Sequence, residues 1–438
     1  MVKPDVITPT FRARAGRDSG GLRERVRGRD PPVPPASRAR SAGETCRSRR
    51  TPQVGDLAGA RERHPGCNQG PAMKMTIRSW LPCVCLLAAA ACGGAVETPP
   101  GDADGDVDAG DTPAIDAPPP VANVAGTYAR TLTVDGMTRE VIVHVPAAAA
   151  GTTPVPAVLM LHGTSGDGER YYNISGWREK ADAEGFIAVF PTALTHCLFE
   201  DENGDGDFAD PGERKLTTKW AAGKLGSATM PLCAPEDLAM LSPENRALAD
   251  HPLADDLAFL DAVLDLLGRE HAVDAKRVYA SGFSNGASMT SRLALERSTR
   301  FAAIAAAAGG LNPAAAPAER PLSAVQSLGT RDDRFTTPLG LTELPIGPTA
   351  LDDEPRLWFL IRPMLTVLQL GERYTYAEES VSGRRISTFT FAESTVGAAN
   401  TLTFVLVEGA FHVYPNGDNH PLVIANPLWT FFSTQALP

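Results

Sequence analysis

Beyond residue 92 the chain has only two cysteines, Cys197 and Cys233, and beyond residue 284 only two histidines, His412 and His420. It has no apolar run long enough to span a bilayer as a permanent helix; the N-terminal stretch from Trp80 to Ala91 falls short of that length. Positive charge is scarce where it would matter. The 438 residues carry 41 Lys+Arg against 52 Asp+Glu, but residues 1–72 hold 15 of the basic and only 7 of the acidic groups, which leaves the remainder at 26 against 45. That balance argues against charge-driven binding of nucleic acid or anionic lipid. No Gly-Lys-Ser/Thr follows the Gly-rich stretch "HGTSGDG" at 162–168, so it does not read as a phosphate-binding loop. What is present is 43% hydrophobic residues, enough for a substantial core.

The N-terminal third divides by composition. Residues 1–72 are rich in Arg, Pro and Gly without an apolar period, and read as a disordered segment or as upstream sequence ahead of the true start. "MKMTIRSWLPCVCLLAAAACGG" has the layout of an export signal over 73–91: Lys74 and Arg78, an apolar run, then small residues before Cys92. Met73 or Met75 is the natural start of such a signal. "LLAAAAC" resembles the lipobox of bacterial lipoproteins, which implies cleavage before Cys92 and lipidation of its sulfur; Ala89 stands where a Leu is usual, and a plain signal peptide is the alternative. Residues 92–124 are an Asp/Pro/Gly-rich tether. The expected location is therefore the cell envelope, as a lipoprotein, or the medium, with membrane contact only through the lipid. In such an oxidising compartment Cys197 and Cys233 are expected to pair.

From residue 125 to 438 the pattern is one domain of alternating strands and helices. "YARTLTV" and "REVIVHVP" read as a hairpin, with Val141, Val143 and Val145 on one face. "VPAVLMLHG" is the continuous apolar run of a strand buried on both faces of a parallel sheet. "YYNISGWREKADAEG" reads as a helix and "FIAVFP" as a strand. A helix is expected over 252–270 from the spacing of Leu253, Leu257, Leu260, Leu264 and Leu267. Then follow strand "RVYAS", helix "NGASMTSRLALERS", strands "FAAIAAAAGG" and "LSAVQSLG", an insertion from about 335 to 395, strand "TLTFVLVEG" and a helix at "NPLWTFFST". The expected fold class is α/β, an open and mostly parallel central sheet wrapped by helices.

"RVYASGFSNGAS" places Ser284 between glycines at 282 and 286, at the junction of an expected strand and helix. A strained turn there would expose the hydroxyl at the carboxyl end of the sheet. Serine needs a base to take its proton. His412, just after a strand, is the candidate, with His420 in reserve. The acid that orients the base is expected from "SLGTRDDRF", as Asp332 or else Asp333. Oxyanion donors are expected from the N–H of Asn285 and, after the strand ending "LMLHG", from that of Thr164 or next Ser165. His162 reads as structural.

Together "LHGTSGDG", "SGWREKADAEGFIAVFP", "DDLAFLDAVLD", "RVYASGFSNGASM", "FAAIAAAAGG", "LGTRDD" and "FHVYP", in that order over about 125–435, resemble the extracellular α/β-hydrolase esterases that include polyhydroxybutyrate depolymerases, feruloyl esterases and acetylxylan esterases. The resemblance implies an α/β-hydrolase fold with two insertions, a serine esterase acting on polymeric or oligomeric esters through an acyl-enzyme, and Ser284, Asp332 and His412 as its triad, with no cofactor required. Leu328-Gly329 stands where His-Gly is frequent, and Phe411-His412-Val413-Tyr414-Pro415 where Gly-His-x-Trp-Pro is usual. A serine peptidase of the same fold, or a surface protein binding carbohydrate or calcium, are the rival readings. In the first insertion Asp201, Asn203, Asp205 and Asp207 have the spacing of a calcium loop, but Gly212 stands where its last carboxylate belongs and Glu213 follows; a solvated acidic loop is the alternative. Trp220 is a candidate wall for an aromatic or sugar ring, and "RLWFLIRPMLTVLQL" reads as a lid or an extra packed helix.

Overall fold

The computed structural model describes residues 121–438, apart from 202, 203, 209, 211 and 312–315. The extension, the signal, Cys92 and the tether as far as residue 120 lie outside the described residues. Twelve strands are formed: β1 (Gly126–Val134), β2 (Met137–Val145), β3 (Val155–Leu161), β4 (Ile187–Pro191), β5 (Thr195–Phe199), β6 (Arg214–Thr218), β7 (Val273–Phe283), β8 (Ala303–Ala307), β9 (Ser323–Gly329), β10 (Tyr374–Val381), β11 (Arg384–Phe391) and β12 (Leu402–Val407). Ten of them make one sheet in the order β1-β2-β4-β3-β7-β8-β9-β12-β11-β10, and β5 with β6 forms a separate hairpin. From β4 to β12 neighbouring strands run parallel; β1, β2, β11 and β10 are antiparallel additions at the two ends.

The burial pattern explains which strands go where. β4, β8 and β9 are buried along their whole length and β3 over its last five residues, as unbroken apolar runs require. β1 alternates half-buried and exposed residues, as an edge strand with one solvated face does. Helices cover both faces. The helix Asp256–Glu270 buries Leu257, Phe259, Leu260, Val263, Leu266 and Leu267, and begins later than its apolar spacing suggests because Asp255 caps it, accepting the Ala258 N–H at 3.0 Å. Leu253 is thereby left outside the helix and is 41% exposed. "YYNISGWREKADAEG" forms two helices rather than one, Gly168–Ile174 and Trp177–Glu184, because Gly176 takes a left-handed φ of 77° between them.

Two features go beyond the expected pattern. The second insertion contributes β10 and β11, which extend the sheet; their signal was the alternation in "RRISTFTF", where Phe389 and Phe391 point into the core. The same insertion's helix Trp358–Leu368 buries Ile361, Met364, Leu365, Val367 and Leu368, so it is a packed helix rather than a detached lid.

A buried ion pair ties the first insertion to the sheet. Arg139 on β2 meets Asp256 at 2.5 Å with both side chains wholly excluded from solvent, its guanidinium 3.8 Å over the Phe259 ring. The other Asp256 oxygen accepts the Ala221 N–H at 2.6 Å. Removing one partner of such a pair strands the other charge in the interior. Arg139→Met should therefore cost about 3–5 kcal/mol of unfolding free energy, while Arg139→Met combined with Asp256→Leu should cost clearly less. Urea unfolding of the unaltered protein, Arg139→Met, Asp256→Leu and the double variant checks this; a double variant as unstable as the sum of the singles would mean that the pair does not act as a unit.

Candidate active site

The sheet changes direction between β3 and β7: from β3 the chain moves outward to β4, and it returns to build β7, β8, β9 and β12 on the other side. Ligands of open α/β sheets bind at such a switch point, beyond the carboxyl ends of the strands. Leu161 pairs with Gly282 there, so the turn after β3 and the turn after β7 face one another.

Ser284 occupies that second turn with φ 53° and ψ −118°, a strained conformation for a residue with a side chain. The surroundings enforce it. The Ser284 N–H donates to Ala307 O at 2.9 Å, and its carbonyl accepts the Ser288 N–H at 3.0 Å. A Cβ at Gly286 would collide with the carbonyl oxygens of Leu161 and His162, and one at Gly282 with Gly286 O and the Thr290 hydroxyl. Both glycines are thus demanded by close approach of backbones.

Three side chains meet in line. The Ser284 Oγ is 2.9 Å from His412 Nε2, and His412 Nδ1 lies 2.8 and 2.9 Å from the two oxygens of Asp332. A carboxylate can only accept, so Nδ1 carries the proton and Nε2 is left to accept from the serine. Asp332 is fully buried at the end of β9 and accepts the Arg334 N–H at 3.1 Å as well. Arg331 pairs with Glu343 and not with Asp332. Asp333 is exposed at the start of a short helix. His420 is elsewhere: its Nε2 lies 3.0 Å from Glu408 O and its Nδ1 accepts the Leu422 N–H, so both nitrogens are used in the loop.

Thr164, Ser284, Asn285 and His412 share a cavity of about 630 Å³. Asn285 opens the helix Asn285–Glu296, so its N–H has no intrahelical acceptor, and the residue lines the cavity. The Ser165 N–H donates to Thr218 O at 3.0 Å, while Thr164 lines the cavity from the β3 turn. His162 is structural here. Its Nε2 accepts the Ala193 N–H at 2.9 Å and its Nδ1 donates to Gly163 O at 2.7 Å, and burial lowers its pKa to about 4.

The first insertion forms one wall. Its cysteines 197 and 233 are joined. Trp220 is wholly buried rather than open to a ring: it donates from Nε1 to His162 O at 2.9 Å and stacks near Phe259. The Asn285 side chain clasps the Trp220 backbone, accepting its N–H at 2.6 Å and donating to its carbonyl at 3.1 Å. In the acidic loop the Asp201 oxygens accept the N–H groups of Gly204 and Gly206 at 2.6 and 2.9 Å, and the Asp207 N–H donates to Asp205 Oδ1. Asn203 lies outside the described residues, and among the described residues no three His, Cys, Asp or Glu side chains converge on a metal position.

Sequence reasoning passed over the network behind His412. Tyr414 is buried, its hydroxyl 2.8 Å from Trp177 Nε1, which donates to it, and 3.0 Å from the Ser281 hydroxyl; the Phe283 ring is 4.9 Å from that of His412. Only the tyrosine's place two residues after the histidine hinted at it. Tyr414→Phe removes one oxygen and leaves the Trp177 N–H unpaired, so kcat toward an ester should fall about tenfold with KM little changed, the cost of a lost buried hydrogen bond; an equal rise in KM would mean that the substrate-binding wall moved instead.

His162 also sets an acid limit. Its folded-state pKa of about 4, and that of His196 lowered to about 3 by burial and by its neighbour His251, lie below the ordinary 6.5. Between pH 6.5 and 4 the unfolded chain binds protons that the folded chain refuses, so stability is lost as pH falls through that window. For His162 alone the loss is on the order of 3 kcal/mol. Urea midpoints at pH 7 and pH 5 should differ less for His162→Asn than for the unaltered protein; the same difference in both would remove His162 as the cause.

No family model matches the chain. NocK of Nocardia uniformis subsp. tsuyamanensis, a protein named for an inferred esterase activity, is 29% identical over 373 residues, covering 78% of this chain and 91% of NocK. The bifunctional acetylxylan esterase/xylanase XynS20E of Neocallimastix patriciarum is 25% identical over 198 residues, covering 45% of this chain and 22% of that protein's length. Among solved structures, an acetyl xylan esterase from Aspergillus awamori matches 70% of this chain and all of its own with a TM-score of 0.39 and 14% identity. No described helix is long and apolar enough to cross a membrane. The strand order and the serine turn after β7 are those of an α/β-hydrolase fold, and in sequence the chain is similar to proteins named as esterases.

Proposed function

We propose that the chain is an exported serine esterase that cleaves carboxylic esters through an acyl-enzyme. The observation that carries this reading is the line from Ser284 through His412 to Asp332 at the end of the cavity, with contacts of 2.8 to 2.9 Å. His412 Nε2 takes the Ser284 proton as Oγ attacks the ester carbonyl. The charge that develops on the carbonyl oxygen is met by the N–H groups of Asn285 and Thr164. Asp332 holds the imidazole in the tautomer with Nδ1 protonated and stabilises its cation. The imidazolium then protonates the departing alcohol, and water, deprotonated by the same nitrogen, releases the acid. Every group needed is a side chain or backbone N–H of this chain, so the mechanism calls on no cofactor. Export, as a lipoprotein anchored at Cys92 or as a secreted protein, rests on the signal-like sequence at 73–91 and is supported by the Cys197–Cys233 disulfide.

The test is the hydrolysis, by the protein from residue 93, of p-nitrophenyl acetate and butyrate, methyl ferulate, a hydroxybutyrate oligomer and acetyl p-nitroanilide. Ester turnover should fall by about four to six orders of magnitude in Ser284→Ala, with the anilide cleaved poorly by both. Equal ester rates in the two proteins would remove Ser284 from catalysis, and faster anilide cleavage would favour a peptidase.

A further inference from the structure

The cavity above Ser284 is not electrically neutral. Besides apolar walls from Leu225, Met230, Phe335 and Leu360, it is lined by Glu200, Lys219, Lys224 and Arg334. A recess of about 590 Å³ adjoins it and shares Glu200, Lys224, Met230 and Arg334, adding Asp201 and Thr229. Three of these charges are committed. Lys219 is ion-paired with Glu200. Asp201 is turned to its own loop, each oxygen accepting a backbone N–H. Lys224 and Arg334 are exposed, and neither has an ion-pair partner among the described residues.

Their bases are fixed while their ends are free. The Lys224 carbonyl accepts the Ser227 N–H at 3.0 Å, closing a turn in the disulfide-bound insertion. The Arg334 N–H is bonded to Asp332, the carboxylate that orients His412, so this cation is held two residues from the triad. Two unrelated segments thus bring uncompensated cations to one cavity in a chain whose net charge is −11. Among the described lining residues, three cations against two carboxylates leave a single positive charge at the joined recesses. A monoanion neutralises that charge; a phosphate dianion overshoots it.

Resting on the esterase reading of Ser284, we propose that the substrate carries a carboxylate remote from the scissile ester, held between Lys224 and Arg334. Guanidinium and ammonium groups bind carboxylate by charge-assisted hydrogen bonds. The carboxylate can come from the acyl side, as in a half-ester of a dicarboxylic acid, or from the alcohol side, as in an ester of a hydroxy acid, and the two are separated by the probes used.

For the acyl side, mono-(4-nitrophenyl) glutarate is compared with its methyl diester; for the alcohol side, 4-acetoxybenzoate with 4-acetoxybenzamide. The quantity read is the ratio of kcat/KM for the charged to the neutral ester, in the unaltered protein and in Lys224→Met, Arg334→Met and the double variant, at low salt. Intrinsic reactivity cancels when ratios are compared between proteins. The ratio for one probe pair should fall about tenfold in each single variant, the size of one charge-assisted hydrogen bond, and further in the double. Lys224→Arg and Arg334→Lys should keep it, and added salt should lower it in the unaltered protein but not in the double Met variant. Ratios that are the same in all proteins, with both esters turned over, would overturn the carboxylate subsite and leave the esterase reading standing. No turnover of any of the four esters by the unaltered protein would overturn that reading, and this one with it.

Discussion

The site depends on how closely the backbone after β3 approaches the helix that follows Ser284. Leu161 and His162 press their carbonyl oxygens against Gly286, at a distance that leaves no room for a side chain. That contact brings Thr164 and Asn285 to one cavity, and it lets the strained Ser284 be held by the Ala307 carbonyl from the next strand. A strained conformation survives only where its surroundings over-determine it. Here two strands, one helix and a turn all do so.

Around this point the first insertion is bound in at three depths. The buried Arg139–Asp256 pair receives the Ala221 N–H, the Asn285 amide clasps the Trp220 backbone, and the indole of Trp220 donates to the His162 carbonyl. Asn285, the residue after Ser284, therefore lines the cavity while its side chain fixes the wall. This coupling explains how a loop outside the main sheet can present Lys219, Lys224, Leu225 and Met230 to the cavity in a defined arrangement. The second insertion works from the other side through Leu360, while its strands extend the sheet beyond β12.

Legibility followed the range of the signal. The strand–turn–helix around Ser284 and the buried strands could be read because local pattern and burial agree there; "VPAVLML" and "AIAAA" are buried on both faces as their composition requires. The hairpin β5–β6 and the strands β10 and β11 escaped notice because β6 (RKLTT) and β10 (YTYAEESV) are mostly polar or charged, and because the pairing of β11 is set by the edge of β12 rather than by its own sequence. Leu253 had the right spacing for a helix, yet Asp255 capped the helix after it. Trp220 looked suited to an open platform and is instead a buried strut, because its N–H found a carbonyl that lies 58 residues away in the chain.

The sequence by itself determined the α/β alternation, the need for small residues beside Ser284, and a short list of groups able to act as base and acid, since these follow from periodicity and side-chain chemistry. Tertiary structure decided which histidine faces the serine, which of two adjacent aspartates faces that histidine, and which charges at the cavity are paired. Those choices turn on distances of a few ångströms between segments that lie 80 and 128 residues apart in the chain, as Asp332 and Ser284 lie from His412. Only the folding of the sheet sets such distances.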